Sequence, residues 1–359
     1  MKDDKPLAII YTHPRLRSPS SFDQCKYLMQ HGKEFNWQII SDQATGTRLD
    51  KTVERWGLDT PALVWDQFGA YCGAFKSKEY IEKNNITYIR TVGDTEVHMG
   101  EMGHGHHEIN TEMDVDALFF PVSPKCKPPI ERLKDFTDYL PTQKDKPLIC
   151  IPFGVDTRKH IPAKEKDIDI IGLYLAESGN PFQQNRIRMS KSMGTYINNN
   201  NQNVQAYIQT KKVPDDQLPE HDKMMKRIYA DRRTLIGIND TVFHWRYVDF
   251  CNRSKVAMAD TSKRDYMTNK YLEFGASGCL VIGEKPYGYD DLWNKDTMVE
   301  IDMLYIERDV PNALERIFWS DAGKEEMKKK TDKVRQIINR NYSLAHTMDK
   351  IEKAFKELI

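Results

Sequence analysis

The segment NKYLEFGASGCLVIG, residues 269–283, reads as a short helix, a glycine stop and a buried strand, and it carries one carboxylate, Glu273. A helix beginning near Thr268, after the strand-like run KVAMAD, points the free N–H groups of its first turn past the strand ends, and such a terminus attracts phosphate. Glu273 lies further in, about 6–8 Å along the axis at ~1.5 Å per residue, roughly a ribose away from a diphosphate held at the helix start. A carboxylate there can accept from both hydroxyls of a vicinal diol. Gly275, Ala276 and Ser277 let the helix approach the sheet closely, and Gly278 suits the left-handed position that closes a helix.

A second concentration of chemistry is TVGDTEVHMGEMGHGHHE, residues 91–108, which places His98, His104, His106 and His107 on a glycine-rich loop after a strand. Histidines are metal ligands, but a zinc site needs pre-oriented side chains, no cysteine joins these four, and Gly100, Gly103 and Gly105 leave the backbone free. A solvated loop is the competing reading.

The elements that must position these groups follow from periodicity. Apolar runs of strand length recur with helical segments between them: PLAIIYT, WQIIS, ALVWD, ITYIRTV, DALFFP and PLICIP. Pro152, Gly154 and Pro162 then punctuate the chain, and the pattern restarts with IDIIGLYL, VQAYIQT, TVFHW, KVAMAD, CLVIG and TMVEID. The alternation predicts an α/β chain of two doubly wound, Rossmann-like domains, and 359 residues exceed what one core organises. The predicted domains are residues 1–154 and 155–335, with 336–359 a C-terminal helix packing back on the first domain. From Val310 the chain reads as helix to its end, interrupted near NRNYSLAH, and NNNNQN at 198–203 reads as a loop. Two such domains on one linker create a cleft facing the carboxyl ends of both sheets, where ligands of such sheets bind.

Composition removes several function classes. Lysine plus arginine equals aspartate plus glutamate at 53 each, so no global field favours nucleic acid as a partner. The basic stretch KEEMKKKTDKVR reads as a solvated helix face. No apolar run approaches the roughly 18 residues of a spanning helix, and the opening MKDDKPLAIIYT reads as a first strand rather than a signal peptide, giving a cytoplasmic expectation. Six cysteines form no C-x-x-C pair, which argues for reduced thiols. No G-x-G-x-x-G joins a strand to a helix, which weighs against a nicotinamide dehydrogenase.

Residues 150–283 resemble the C-terminal half of the retaining glycosyltransferases of family 4, which have the GT-B fold, in particular members encoded by large algal viruses. That family carries two acidic residues separated by seven, then a small-residue helix and a G-x-P-V-I strand; here the acids are Asp265, where glutamate is usual, and Glu273, and Leu280 stands at the proline position. The linker PFGVDTRKHIP is similar to the family's P-N-G-V-D…F-x-P, with Phe153 at the asparagine position. The resemblance implies transfer of a sugar from a nucleoside diphosphate sugar to a glycan acceptor with retained anomeric configuration and without a metal cofactor. Family frequency favours GDP-mannose over UDP-hexoses as donor, and a homodimer is compatible with the pattern.

Such a reaction needs charge neutralisation, because the sugar gains oxocarbenium character while the diphosphate gains negative charge. The resemblance makes Arg186, Lys263, Arg264 and Lys270 candidates for the phosphates and Glu273 the candidate for the ribose. It assigns the base to the loop carrying His244, Trp245 and Arg246, and the acceptor to Arg15 and Arg17 in YTHPRLRSPSSFD. His98, after GDTEV, matches a histidine that reaches the donor sugar, so His98, Asp265 and Lys270 are the catalytic candidates. A catalytically silent nucleotide- or sugar-binding protein and a metallohydrolase built on the histidine loop are the rival readings. Surface cations, a helix cap at Asp265 and a core Trp245 are the alternatives residue by residue.

Overall fold

The structure is a computed structural model that describes residues 6–10, 24, 27–28, 30–33, 36–40, 48–66, 77–91, 115–127, 145–173, 184–200, 206–209, 247–261 and 267–359. The chain divides into two compact units, Met1–Gly154 with Leu344–Ile359, and Val155–Ser343.

The first unit is built on a parallel sheet of β1 (Leu7–Ile10), β2 (Trp37–Ile40), β3 (Leu63–Asp66), β4 (Thr87–Thr91), β5 (Ala117–Phe120) and β6 (Leu148–Cys150), in the order β2-β1-β3-β4-β5-β6. Strands β3 and β5 are buried along their whole length, as continuous apolar runs in a parallel sheet covered on both faces must be. Helix α1 (Leu49–Trp56) leads into β3 and α2 (Lys78–Lys83) into β4.

The second unit repeats the plan. Its elements are β7 (Ile168–Leu173), α3 (Gln184–Asn199), β8 (Ala206–Gln209), β9 (Ser254–Ala259), α4 (Asn269–Ala276), β10 (Leu280–Gly283), β11 (Val299–Glu300), α5 (Ile306–Trp319) and α6 (Asp321–Asn341). The sheet order is β11-β10-β9-β7-β8, with every pair parallel. The chain leaves β7 through α3 toward β8 on one side and leaves β9 through α4 toward β10 on the other. Winding therefore reverses between β7 and β9, and a doubly wound sheet binds ligands outside the carboxyl ends at such a reversal. Met189, Met193 and Tyr196 of α3 pack with Ile306, Val310, Leu314 and Ile317 of α5, along with Val256 and Met258 of β9.

Helix α7 (Leu344–Lys356) returns to the first unit. Leu344, Met348, Ile351 and Phe355 recur at helical spacing and share a core with Leu7, Trp37, Leu63, Trp65 and Phe119. The Phe355 ring meets Trp65 edge-on at 5.3 Å between centroids. The buried Glu352 carboxylate accepts from Trp37 Nε1 at 3.0 Å and from the Lys33 N–H at 3.3 Å, so a charge inside α7 is satisfied.

Two details differ from the expectation. A domain limit at 335 falls inside α6, one continuous helix of 21 residues, and the change of unit comes at Leu344. The terminal helical run starts at Ile306 and also breaks at Ser320, whose hydroxyl accepts from the Gly323 N–H at 2.9 Å and so caps the next helix, α6, whereas the interruption expected near NRNYSLAH falls at 342–343. The run TVFHW lies outside the described residues. No helix among the described residues is long and apolar enough to cross a membrane.

Candidate functional site

The site begins where β7 and β9 end. Past β9 the chain runs directly into Asp260 and Thr261, both buried, because the strand alternation breaks only after the apolar run KVAMA. Arg186, in the first turn of α3, donates through Nε to Asp260 Oδ1 at 2.9 Å and Oδ2 at 3.0 Å. The pair therefore lies across the winding reversal. Asp260 takes only the inner nitrogen of the guanidinium, and among the described residues none is bonded to Nη1 or Nη2.

Lys270 stands in the first turn of α4, two positions after the cap residue Thr268, which is extended and makes no side-chain cap bond. Lys270 is half-buried over the residue as a whole, and its ammonium lies on the buried side. Burial, reinforced by the Arg186 cation and opposed by Asp260, Glu273 and Cys251, pushes its pKa down to about 8. That pattern of neighbours gathers Arg186, Asp260, Lys270 and Glu273 into one electrostatic cluster. Glu273 follows one turn later on the same face of α4, buried to 8% exposure, and its Oε2 accepts from the Tyr247 hydroxyl at 2.5 Å. Tyr247 lies in a helical stretch, 247–253 among the described residues, that feeds β9.

Helix α4 is fixed at both ends. Gly278 follows its C-cap with φ of 69°, the left-handed conformation that the glycine permits. Lys166 Nζ donates to the carbonyls of Ser254 at 2.6 Å, Ser277 at 2.9 Å and Gly278 at 2.6 Å, so a cation closes the negative end of the helix dipole. Burial lowers the pKa of this lysine. The His160 imidazole is hydrogen-bonded with the Ser277 hydroxyl at 2.9 Å. Tyr271 donates to the Glu284 carbonyl at 2.5 Å, and its ring meets Trp293 edge-on at 5.5 Å. Gly275 does allow a close approach, but toward α6 and Trp293 rather than the sheet: a Cβ there would stand 2.6 Å from Ile338 Cδ1 and 3.1 Å from Trp293 Cη2.

Of the sequence candidates, Arg186, Lys270 and Glu273 come together. His98, Asp265, Lys263, Arg264, Trp245, Arg246, Arg15 and Arg17 lie outside the described residues, as does the whole histidine loop. Among the described residues no group of three or more His, Cys, Asp or Glu is arranged to hold a metal. Sequence reasoning missed Asp260 and Tyr247. Asp260 had a signal, an acid closing an apolar strand run at the carboxyl edge of a sheet. Tyr247 had none, because its bond spans 26 positions and resembles core packing until the hydroxyl is placed. Chemically, the cluster offers two cations beside the positive end of the α4 dipole toward an anion, with a buried carboxylate one turn behind.

No protein-family profile matches the chain, and no curated protein matches it significantly. Solved structures do. It is similar to sucrose-phosphate synthase from Thermosynechococcus elongatus, with a TM-score of 0.61, 12% identity and 99% of each chain covered. It is also similar to a glycosyltransferase from Rickettsia africae, with a TM-score of 0.57, 12% identity and 99% of each chain covered. A third similar structure is Anabaena HepE in complex with UDP-glucose, with a TM-score of 0.59, 8% identity, and 98% of this chain and 100% of that one covered. At these identities the likeness establishes the fold, the two Rossmann-like α/β domains of GT-B.

Proposed function

We propose that the chain is a retaining glycosyltransferase of the family 4 type that moves a hexose from a nucleoside diphosphate sugar to a glycan acceptor in the cytoplasm. The observation that carries this reading is the placement of Lys270 in the first turn of α4 beside Arg186, at the winding reversal of the second sheet, with Glu273 one turn behind. A nucleoside diphosphate has the matching order of groups: two phosphates, then a ribose diol about one helical turn away. As the bond to the anomeric carbon breaks, charge accumulates on the diphosphate, and fixed cations that meet it there stabilise the transition state more than the ground state. Lys270, Arg186 and the α4 N–H groups take that role, and Asp260 holds Arg186 in place. These cations neutralise the leaving group without a metal. Glu273 accepts from the ribose hydroxyls.

The remaining roles rest on the resemblance alone: Lys263 and Arg264 at the phosphates, Asp265 and His98 at the sugar, Trp245 and Arg246 at the base, Arg15 and Arg17 at the acceptor. The same resemblance favours GDP-mannose as donor, and the UDP-glucose bound by HepE makes UDP-hexoses the comparison. Calorimetric titration with GDP-mannose, UDP-glucose and related nucleotide sugars, followed by donor turnover with and without glycan acceptors, tests the proposal. Binding without turnover in any acceptor mixture would instead indicate a silent nucleotide-sugar-binding protein. No binding to any of the panel refutes both.

A further inference from the structure

We infer that Tyr247 is a positioning residue for nucleotide recognition: its phenol fixes the Glu273 carboxylate, and through it sets the preference for a nucleotide with an intact ribose diol. The inference rests on the reading of Glu273 as the ribose contact. A glutamate side chain has three rotatable bonds, and a contact to two hydroxyls at once requires one orientation of the carboxylate, so a free Glu273 would lose rotamer entropy on binding. The 2.5 Å bond from the Tyr247 hydroxyl to Oε2 removes that freedom in advance.

The phenol is itself buried. Cys251, one helical turn further along 247–253, lies among its neighbours. The Cys251 carbonyl accepts from Cys279 Sγ at 3.2 Å, which ties this stretch to the residue before β10. Burial above all, with Cys251 and Glu273 adding to it, raises the phenol pKa well above its usual value of 10, so the hydroxyl is protonated at any working pH. Tyr247 thus offers Glu273 a donor, while the Glu273 oxygens keep acceptor capacity for a diol.

The test titrates the full chain with GDP and UDP and with their 2′,3′-dideoxy counterparts, for wild type, Tyr247→Phe, Glu273→Gln and the double variant. Tyr247→Phe is expected to weaken binding of the intact nucleotide about three- to tenfold and to leave the dideoxy affinity unchanged. The double variant should bind no more weakly than Glu273→Gln alone. Equal losses for both ligands would mean that Tyr247 only supports the fold, and an unaltered diol preference would mean that it has no role; either overturns the inference. Glu273→Asp, which keeps the charge but withdraws the carboxylate from Tyr247 by one methylene, is the second variant and must also lose the diol preference. If Glu273→Gln retains that preference, or wild type binds no nucleotide, the ribose reading itself falls and this inference with it.

Discussion

Lys270 gives the sharpest consequence of the cluster. Its pKa of about 8 against an ordinary 10.5 means that the folded protein disfavours the charged lysine by about 3 kcal/mol. A diphosphate at the start of α4 would reverse the balance, because it adds negative charge beside the ammonium, and the pKa should climb back toward its ordinary value. Binding then takes up protons: about a tenth of one at pH 7, about half at pH 8 and about nine-tenths at pH 9. Calorimetry of GDP or UDP binding in buffers of different ionisation enthalpy measures this number directly. In Lys270→Met the uptake at pH 8–9 should vanish and affinity should fall. The same variant should raise stability, with a sign that can be worked out. The folded pKa is depressed, so the cost of charging Lys270 is full below about pH 8 and disappears as pH rises toward 10.5. Lys270→Met should therefore be more stable than wild type in urea by up to about 3 kcal/mol at pH 7, with the difference closing above pH 10. Proton uptake that persists in Lys270→Met, or an uptake of zero in wild type at pH 9, would refute the placement of the diphosphate beside this lysine.

Glu273→Ala should weaken nucleoside diphosphate binding by about 1.5–3 kcal/mol, the scale for hydrogen bonds to a charged group, in the same titration. Lys166→Met leaves the carbonyls of Ser254, Ser277 and Gly278 without their donor, and urea unfolding should register a loss of about 2–4 kcal/mol. His98→Ala should lower turnover while leaving the affinity for bare GDP or UDP unchanged, and a chelator should leave activity intact. Activity abolished by chelator and restored by zinc or manganese would overturn the metal-free mechanism.

The fold was legible in the sequence because a parallel sheet writes itself as separate apolar runs, each short enough to be only a strand. PLAIIYT, ALVWD, KVAMAD and CLVIG became β1, β3, β9 and β10 for that reason. Helix ends were harder to place: α5 starts four residues before Val310, and its stop at Ser320 depends on a side-chain cap that periodicity does not register. Within the site, the local part was readable. The face shared by Lys270 and Glu273 follows from a spacing of three, and the left-handed Gly278 from a glycine after a helix. The long-range part was not. Lys166 reaches carbonyls 88, 111 and 112 positions away, and a lysine in AKEKD carries no mark that separates it from its exposed neighbours.

The same distinction governs how the charges of the cluster balance one another. Arg186 and Lys270 repel each other, which is part of why the lysine loses its proton early. Asp260 relieves Arg186 from the inner, Nε side, where strand β9 delivers a carboxylate that no local pattern around Arg186 foretells. Glu273 lies one turn behind Lys270 and also favours its charged form, yet Tyr247 holds it from the side of the 247–253 stretch. Each cation thus has a carboxylate near it, contributed by β9 or α4. The compensation for Lys270 is incomplete, since its pKa stays depressed to about 8, and the lysine stands in the first turn of α4, at the positive end of that helix's dipole. An anion bound there would supply what the protein withholds, so the energy that depresses the lysine pKa in the empty site returns as binding energy when the site is filled.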